Sequence, residues 1–381
     1  MAIYLDHAAT SFPKPEPVYR AVDAAFRNVG GNPGRGGHRM TLEAGRMVLD
    51  ARETAAAFFG VRDAASVVFT SGATASINQA LFGLLQPGDR VVTTSMEHNA
   101  LSRPLHALEQ RGVVVERVAA GTDGRVTLEQ IRAACSTPTR LVALSHCSNV
   151  TGTIQPIGEI GRWCRQHGIL LLVDAAQSAG VLPINVEDDA IDLLAVAGHK
   201  GLYGPSGIGL LCVRPGLRLE PLIYGGTGAN SSEIIPPTEL PERLEAGTPN
   251  LPGIAGLKAG LDFLSETGLH VLAARKQEQL QLLYAGLEKI NGTRVFGPTS
   301  LENNGGVVSF LVEGRDPAEI GFLLDREYGI LTRVGLHCAP EAHRTIGTFP
   351  GGTIRVSPGF FNTAEVIDLL LQAVASLTGS S

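Results

Sequence analysis

Between residues 41 and 214 the chain alternates two rhythms: short runs of aliphatic and β-branched residues, and longer stretches whose apolar positions recur every three or four residues. The short runs at 67–69, 90–95, 113–118, 141–147, 169–175, 193–197 and 207–213 predict strands. The longer stretches at 41–59, 73–85 and 156–167 predict helices. Their punctuation agrees, since Gly60 and Gly168 close two of them and Pro87-Gly88 follows the third. Such βαβ alternation predicts an α/β fold with a mostly parallel sheet covered by helices. Ligands bind outside the carboxyl ends of strands in sheets of this kind, so residues just beyond the predicted strands are where chemistry is expected.

Residues 225–250 are rich in Gly, Pro and small polar residues and predict a long loop or hairpin. From about Gly253 the pattern changes. Two long helical stretches precede a strand at 307–313, a helix at 316–328, a strand near 353–357 and a terminal helix at 363–377, which together predict a smaller α+β domain. The expected division is a large domain over 15–250 and a small one over 251–381, with residues 1–14 packing near the small domain and the active site.

Composition narrows the functions. The 381 residues are 44% hydrophobic, enough for two aliphatic cores, and the formal charge of -6 leaves no basic footprint for nucleic acid or an anionic membrane. No apolar run is long enough to span a bilayer and the N-terminus has no secretory pattern, so a cytoplasmic location is expected. The 5 cysteines (Cys135, Cys147, Cys164, Cys212 and Cys338) form no C-x-x-C pair, so neither a disulfide framework nor a metal site is expected.

The strand at 169–175 ends in Asp174, with Gln177 three residues on. Alone, a strand-end aspartate is more often a cap or a backbone-bonded core residue. Lys200 changes that reading, because it follows the next strand in a glycine-rich turn beside His199. An acid at one strand end and a lysine beyond the next are what pyridoxal 5'-phosphate chemistry needs: the acid keeps the pyridine nitrogen protonated and the amine holds the aldehyde carbon.

Several ordered motifs then carry a resemblance. They are LDHAAT (5–10), FTSGATASIN (69–78), MEHNA (96–100), SNVTG (148–152), VDAAQ (173–177), GHKGLYGPSGIG (198–209), EAGTPN (245–250) and RVGLHCAP (333–340). The chain resembles a class V, fold-type I pyridoxal-phosphate enzyme, specifically a cysteine desulfurase of the NifS-like and SufS-like group. The short stretch after Cys338, with no long serine-rich segment, is closer to the SufS-like and selenocysteine lyase branch. The N-terminus, which begins almost at LDHAAT, and the segment at 230–250 differ from most SufS-like proteins.

The resemblance implies roles. Ala73 and Thr74, at a predicted helix start suited to a phosphate, would hold the cofactor's phosphate with His199. Ala197 departs from the pattern, where relatives usually carry a serine that also contacts the phosphate. His98 would stack on the pyridine ring, Asp174 hold its nitrogen, Gln177 its phenolic oxygen and Lys200 its aldehyde carbon. Gly247 and Thr248 would reach the phosphate bound by the partner of a homodimer. Asn149, Ala8 and Arg355 would bind the substrate, Arg355 through a bidentate contact to its carboxylate. Cys338 would be the nucleophile, its thiolate favoured by Arg333, His337 and His343, which are cationic or can become so. Cys135, Cys164 and Cys212 are read as buried hydrophobes, and Cys147 as core.

The implied activity is removal of sulfur from L-cysteine, giving L-alanine and a persulfide on Cys338. That sulfur would pass to an acceptor protein or thiol, in iron-sulfur cluster assembly or another sulfur pathway. L-Selenocysteine could replace L-cysteine. The other readings are a class V aminotransferase or epimerase that leaves Cys338 idle, and a non-catalytic assembly scaffold.

Overall fold

The computed structural model describes residues 2–34, 36–228 and 232–379. After a two-residue strand, β1 (Ile3–Tyr4), come the strands of a large sheet: β2 (Val67–Thr70), β3 (Arg90–Thr94), β4 (Val114–Val118), β5 (Leu141–Ser145), β6 (Leu170–Asp174), β7 (Leu193–Ala197) and β8 (Gly209–Val213). They form seven strands in the order β2-β8-β7-β6-β5-β3-β4. The pairings among β3 to β7 are parallel, whereas β8 runs antiparallel to both β2 and β7. The predicted, mostly parallel α/β sheet is therefore present, with bounds shifted by a residue or two.

The central strands are apolar throughout because successive side chains feed two cores. Val142, Leu144, Leu171, Val173, Leu194 and Val196 enter one, while Leu141, Ala143, Leu172, Leu193 and Ala195 enter the other. Helices Arg39–Phe59 and Ile157–Gln166 cover the first face, and Ala73–Leu84 and Asn99–Glu109 the second. Helix Leu251–Thr267, just beyond the boundary read at residue 250, sinks Ile254, Leu257, Leu261 and Leu264 into the first of these cores.

A separate core lies under a four-stranded antiparallel sheet in the order β12-β13-β10-β9, formed by β9 (Thr293–Phe296), β10 (Val308–Val312), β12 (Arg333–Gly335) and β13 (Thr353–Val356). The short β11 (Ile330–Leu331) pairs in parallel with β1, and Leu5 is buried in this core, so the N-terminal segment belongs to the smaller layer. Beyond β1 the chain crosses back. The carbonyl of His199 accepts the N–H of Ser11 at 3.0 Å, the hydroxyl of Thr10 at 3.1 Å and the ammonium of Lys14 at 3.1 Å. The segment 225–250 has no strand or helix among its described residues; residues 229–231 lie outside them. It is pinned instead by Glu245, which accepts two hydrogen bonds from Arg52 (2.7 and 2.8 Å) and the N–H of Phe69 (2.6 Å).

Candidate active site

Four parallel strand ends and a helix start converge on a cavity of about 250 Å³. Its lining includes Ser71–Thr74 after β2, His98 after β3, Ser145 and Asn149 after β5, Asp174 and Gln177 at the end of β6, and Ala197, His199 and Lys200 at the end of β7. The helix Ala73–Leu84 opens on this cavity with no side-chain cap, so the N–H groups of its first turn are free for a ligand. Its cap residue, Gly72, has φ +148°, a conformation that side chains rarely adopt. Gly209 is required for packing, since a Cβ there would lie 2.5 Å from the Cα of Gly72.

Asp174 is 4% exposed and takes one backbone hydrogen bond, from Ala176 at 2.9 Å. Burial raises the pKa of its carboxyl, against that hydrogen bond and the charge of Lys200. Lys200 is held down to about 8, from burial first, with Asp174 pulling the other way. A lysine at that value has a large neutral fraction at mildly alkaline pH, the form able to attack a carbonyl or take a proton. His199 lines the same cavity, its Nδ1 lies 3.1 Å from the hydroxyl of Thr10, and burial lowers it to about 4. Gln177 donates from Nε2 to the carbonyl of Ala8 at 2.9 Å. Ala8 does not line this cavity but a smaller one beside it, of about 60 Å³, which also touches Gln177, Lys200 and the buried side of Lys276.

His98 is both helix cap and wall. Its Nδ1 accepts the N–H of Ala100 at 3.0 Å, which leaves the proton on Nε2, and burial followed by the charge of Lys200 lowers it to about 4. The neutral ring lines the Lys200 cavity and also a neighbouring cleft of about 400 Å³. That cleft contains Cys338 and shares Thr74, His98 and Ala100 with the cavity.

Cys338 is exposed, and both it and His337 have positive φ (+56° and +49°). Left-handed backbone is uncommon for a cysteine, so the turn at Cys338 needs contacts that hold it. The holding contacts are visible: the N–H of Asn99 donates to the carbonyl of Cys338 at 2.7 Å, and Nδ2 of Asn149 donates to the carbonyl of His337 at 2.6 Å. One expectation is corrected here. His337 and His343 are not cationic neighbours of the thiol, because burial lowers them to about 2 and about 4, and their rings bond the hydroxyls of Thr353 (3.0 Å) and Thr348 (2.7 Å). The remaining cysteines cannot supply a thiolate readily. Burial pushes Cys147, Cys164 and Cys212 up to about 12, and Cys135 also rises. Cys147 lines the cavity while donating to the carbonyl of Gly152 at 3.3 Å.

Arg355, on β13, is 2% exposed and already paired. Nη2 donates to Asp6 at 2.7 Å and Nη1 to the carbonyl of Asn149 at 3.0 Å, and Nε has no partner among the described residues. It stands behind Asn149 rather than in the lining of the Lys200 cavity. Gly247 and Thr248 line a different cavity of about 370 Å³, which shares Ser71, Ala75 and Gly207 with the Lys200 cavity. Three features went unread in the sequence. Asp6 holds Arg355; Ser206 adds a hydroxyl to the cavity that Ala197 lacks; and Glu97 is a buried carboxyl beneath His98.

The chain matches the aminotransferase class-V family model over residues 3–370 and belongs to that family. Within it the similar proteins include cysteine desulfurases. A probable cysteine desulfurase of Methanothermobacter thermautotrophicus is 37% identical over 99% of this chain and 95% of its own. The apo structure of a cysteine desulfurase from Thermococcus onnurineus superposes with a TM-score of 0.94 at 33% identity, covering 100% of this chain and 95% of that one. The Escherichia coli cysteine desulfurase CsdA follows with a TM-score of 0.88 at 30% identity, covering 98% and 94%.

Proposed function

We propose that this protein is a pyridoxal-phosphate-dependent cysteine desulfurase, with Lys200 holding the cofactor and Cys338 accepting the sulfur. The supporting observation is that the Lys200 cavity and the Cys338 cleft have a common wall of Thr74, His98 and Ala100. An exposed cysteine at that wall favours this reading over a class V aminotransferase that leaves Cys338 idle.

The cavity suits the cofactor on its own chemistry. An uncapped helix start, with Ser71, Thr74, Ser206 and His199 beside it, suits a phosphate; a buried carboxyl with a single hydrogen bond suits a ring N–H; a depressed lysine suits an aldehyde. Pyridoxal phosphate, when bound, supplies an aldehyde for the substrate's amine and a ring that withdraws electrons from the bonds to its α-carbon. Asp174 would hold the ring nitrogen, Gln177 the phenolic oxygen and the neutral His98 the ring face.

The chain's own residues would do the rest. Asn149, Ala8 and Arg355 orient the amino acid by its carboxylate, with Asp6 keeping Arg355 in place until it binds. Lys200, neutral in a large fraction at mildly alkaline pH, takes the proton from the α-carbon. The Cys338 thiolate attacks the substrate's sulfur: a sulfur–sulfur bond forms, the carbon–sulfur bond breaks, and cysteine becomes alanine while Cys338 carries one extra sulfur. Gly247 and Thr248 do not line the cavity of their own chain, which supports a homodimer in which they complete the partner's phosphate site.

The test is the product balance from free cysteine, with selenocysteine in parallel. Alanine and reducible sulfur in equal amounts support the reading. Pyruvate, or a transaminated product without sulfur release, would displace it; a rate confined to selenocysteine would reassign the substrate.

A further inference from the structure

One wall of the cleft that holds the exposed Cys338 is a face of the helix Asn99–Glu109. Ala100, Arg103, Pro104 and Ala107, spaced at i, i+3, i+4 and i+7, line it together. The N–H of Asn99, at the start of the same helix, anchors the carbonyl of Cys338 at 2.7 Å, and Arg103 stands four residues on, about one helical turn from that anchor. Arg103 is exposed, its guanidinium has no ion pair or hydrogen bond among the described residues, and no Asp or Glu lines the cleft. A second cation lies against Phe82, another lining residue. The guanidinium of Arg111, also without an ion pair among the described residues, is 4.9 Å from the centre of that ring. The other candidate cations are committed elsewhere or silent: Arg333 faces Asp6 at 3.8 Å and does not line the cleft, and burial keeps His98 neutral at about 4.

We propose that Arg103 is a specificity-determining residue for emptying Cys338, selecting as sulfur acceptor a small thiol that carries a carboxylate. This deepens the desulfurase reading and rests on it. A cleft of about 400 Å³ has the size of a small-molecule site, and it contains the cysteine that would carry the sulfur. A cation without a counter-charge at its wall favours an anionic occupant. The apolar surfaces of Phe82, Pro104 and Ala107 suit that occupant's carbon chain. In the transfer the acceptor's thiolate attacks the outer sulfur of the Cys338 persulfide. A new sulfur–sulfur bond forms, the bond to Cys338 breaks with its electron pair left on Sγ as a thiolate, and the outer sulfur keeps its proton. No oxidant or reductant is needed. Arg103 takes no part in that exchange; it holds the acceptor's carboxylate so that the thiolate meets the persulfide. Because the guanidinium is exposed, its effect on rate is at most about fivefold.

The experiment is single-turnover transfer from the cofactor-loaded full chain, charged with sulfur by cysteine and then freed of excess cysteine. The acceptors are 3-mercaptopropionate (anionic), 2-mercaptoethanol (neutral) and cysteamine (cationic), and the readout is loss of the extra sulfur from the Cys338 peptide. Each thiol's intrinsic reactivity cancels in the ratio of variant to wild-type rate. Arg103→Ala should slow transfer to 3-mercaptopropionate about three- to fivefold more than transfer to 2-mercaptoethanol. Arg103→Lys should restore most of that difference, and Arg103→Glu should shift the preference toward cysteamine. Raising the ionic strength from about 0.01 M to about 1 M should erode the wild type's preference and leave that of Arg103→Ala unmoved. Equal ratios for the three thiols would overturn the proposal. A dimer weakened in Arg103→Ala, with equal ratios, would also overturn it, by placing the guanidinium against a partner copy. Failure of Cys338 to take up sulfur from cysteine would sink the desulfurase reading, and the proposal with it, before any acceptor is added, whereas equal ratios from a charged enzyme leave that reading standing.

Discussion

Truncation of Arg355 to alanine separates a substrate-binding role from a structural one. The guanidinium is almost fully buried between Asp6 (2.7 Å) and the carbonyl of Asn149 (3.0 Å), with a second cation, Arg333, 3.8 Å from Asp6. Removing one partner of a buried ion pair typically costs about 3–5 kcal/mol. The low end applies here, because Asp6 is partly exposed and keeps Arg333. A loss of about 3 kcal/mol in binding the substrate carboxylate corresponds to roughly a hundredfold rise in KM. The assay is alanine formation against cysteine concentration at saturating cofactor, with thermal unfolding measured on the same preparation. The expected result is a KM raised by roughly two orders of magnitude, with cofactor affinity changed by less than about tenfold. A lowered Tm with KM within about threefold of wild type would assign Arg355 to holding Asp6 and the N-terminal segment, and another cation would have to bind the substrate.

Three further outcomes are expected. Lys200→Ala should fold, as judged by circular dichroism, yet fail to retain a borohydride-trapped pyridoxyl group, and a trapped group on another lysine of the wild type would move the cofactor's anchor. Reloading of cofactor-free enzyme requires the neutral amine, so its rate should rise with pH and level off above about 8; a rise continuing toward 10.5 would mean that burial does not depress Lys200. Light scattering should give a dimer that weakens when the cofactor is stripped, whereas an active, cofactor-saturated monomer would exclude a site completed by Gly247 and Thr248 of a partner.

The sequence made parts of this site legible because the relevant signals are local. Asp174 and Lys200 each lie at or just after an apolar strand, and strand ends are where an α/β sheet places its chemistry. His98 and the start of helix Ala73–Leu84 follow the same logic. What stayed hidden depends on long-range packing. Arg52 and Glu245 are 193 positions apart, and Asp6 and Arg355 are 349 apart, so nothing in either neighbourhood announces the pair. Glu97 was overshadowed by the histidine beside it; only the fold reveals that its carboxyl points inward to Ser145. His337 and His343 were read as groups able to become cationic, and burial, which a motif does not display, holds them neutral. The short β12 and the helix Pro340–Thr345 were missed for a different reason: three and six residues are too few for periodicity to register.

The central claim is that sulfur from cysteine passes to Cys338, and peptide mass spectrometry after brief incubation with cysteine tests it most directly. The peptide containing Cys338 should gain one sulfur that a reductant removes, while those containing Cys147, Cys164 and Cys212 should not. Cys338→Ala should still load cofactor and bind cysteine but form alanine near the background rate. Near-normal alanine output from Cys338→Ala, or an unmodified Cys338 peptide in turning-over wild-type enzyme, would contradict the account.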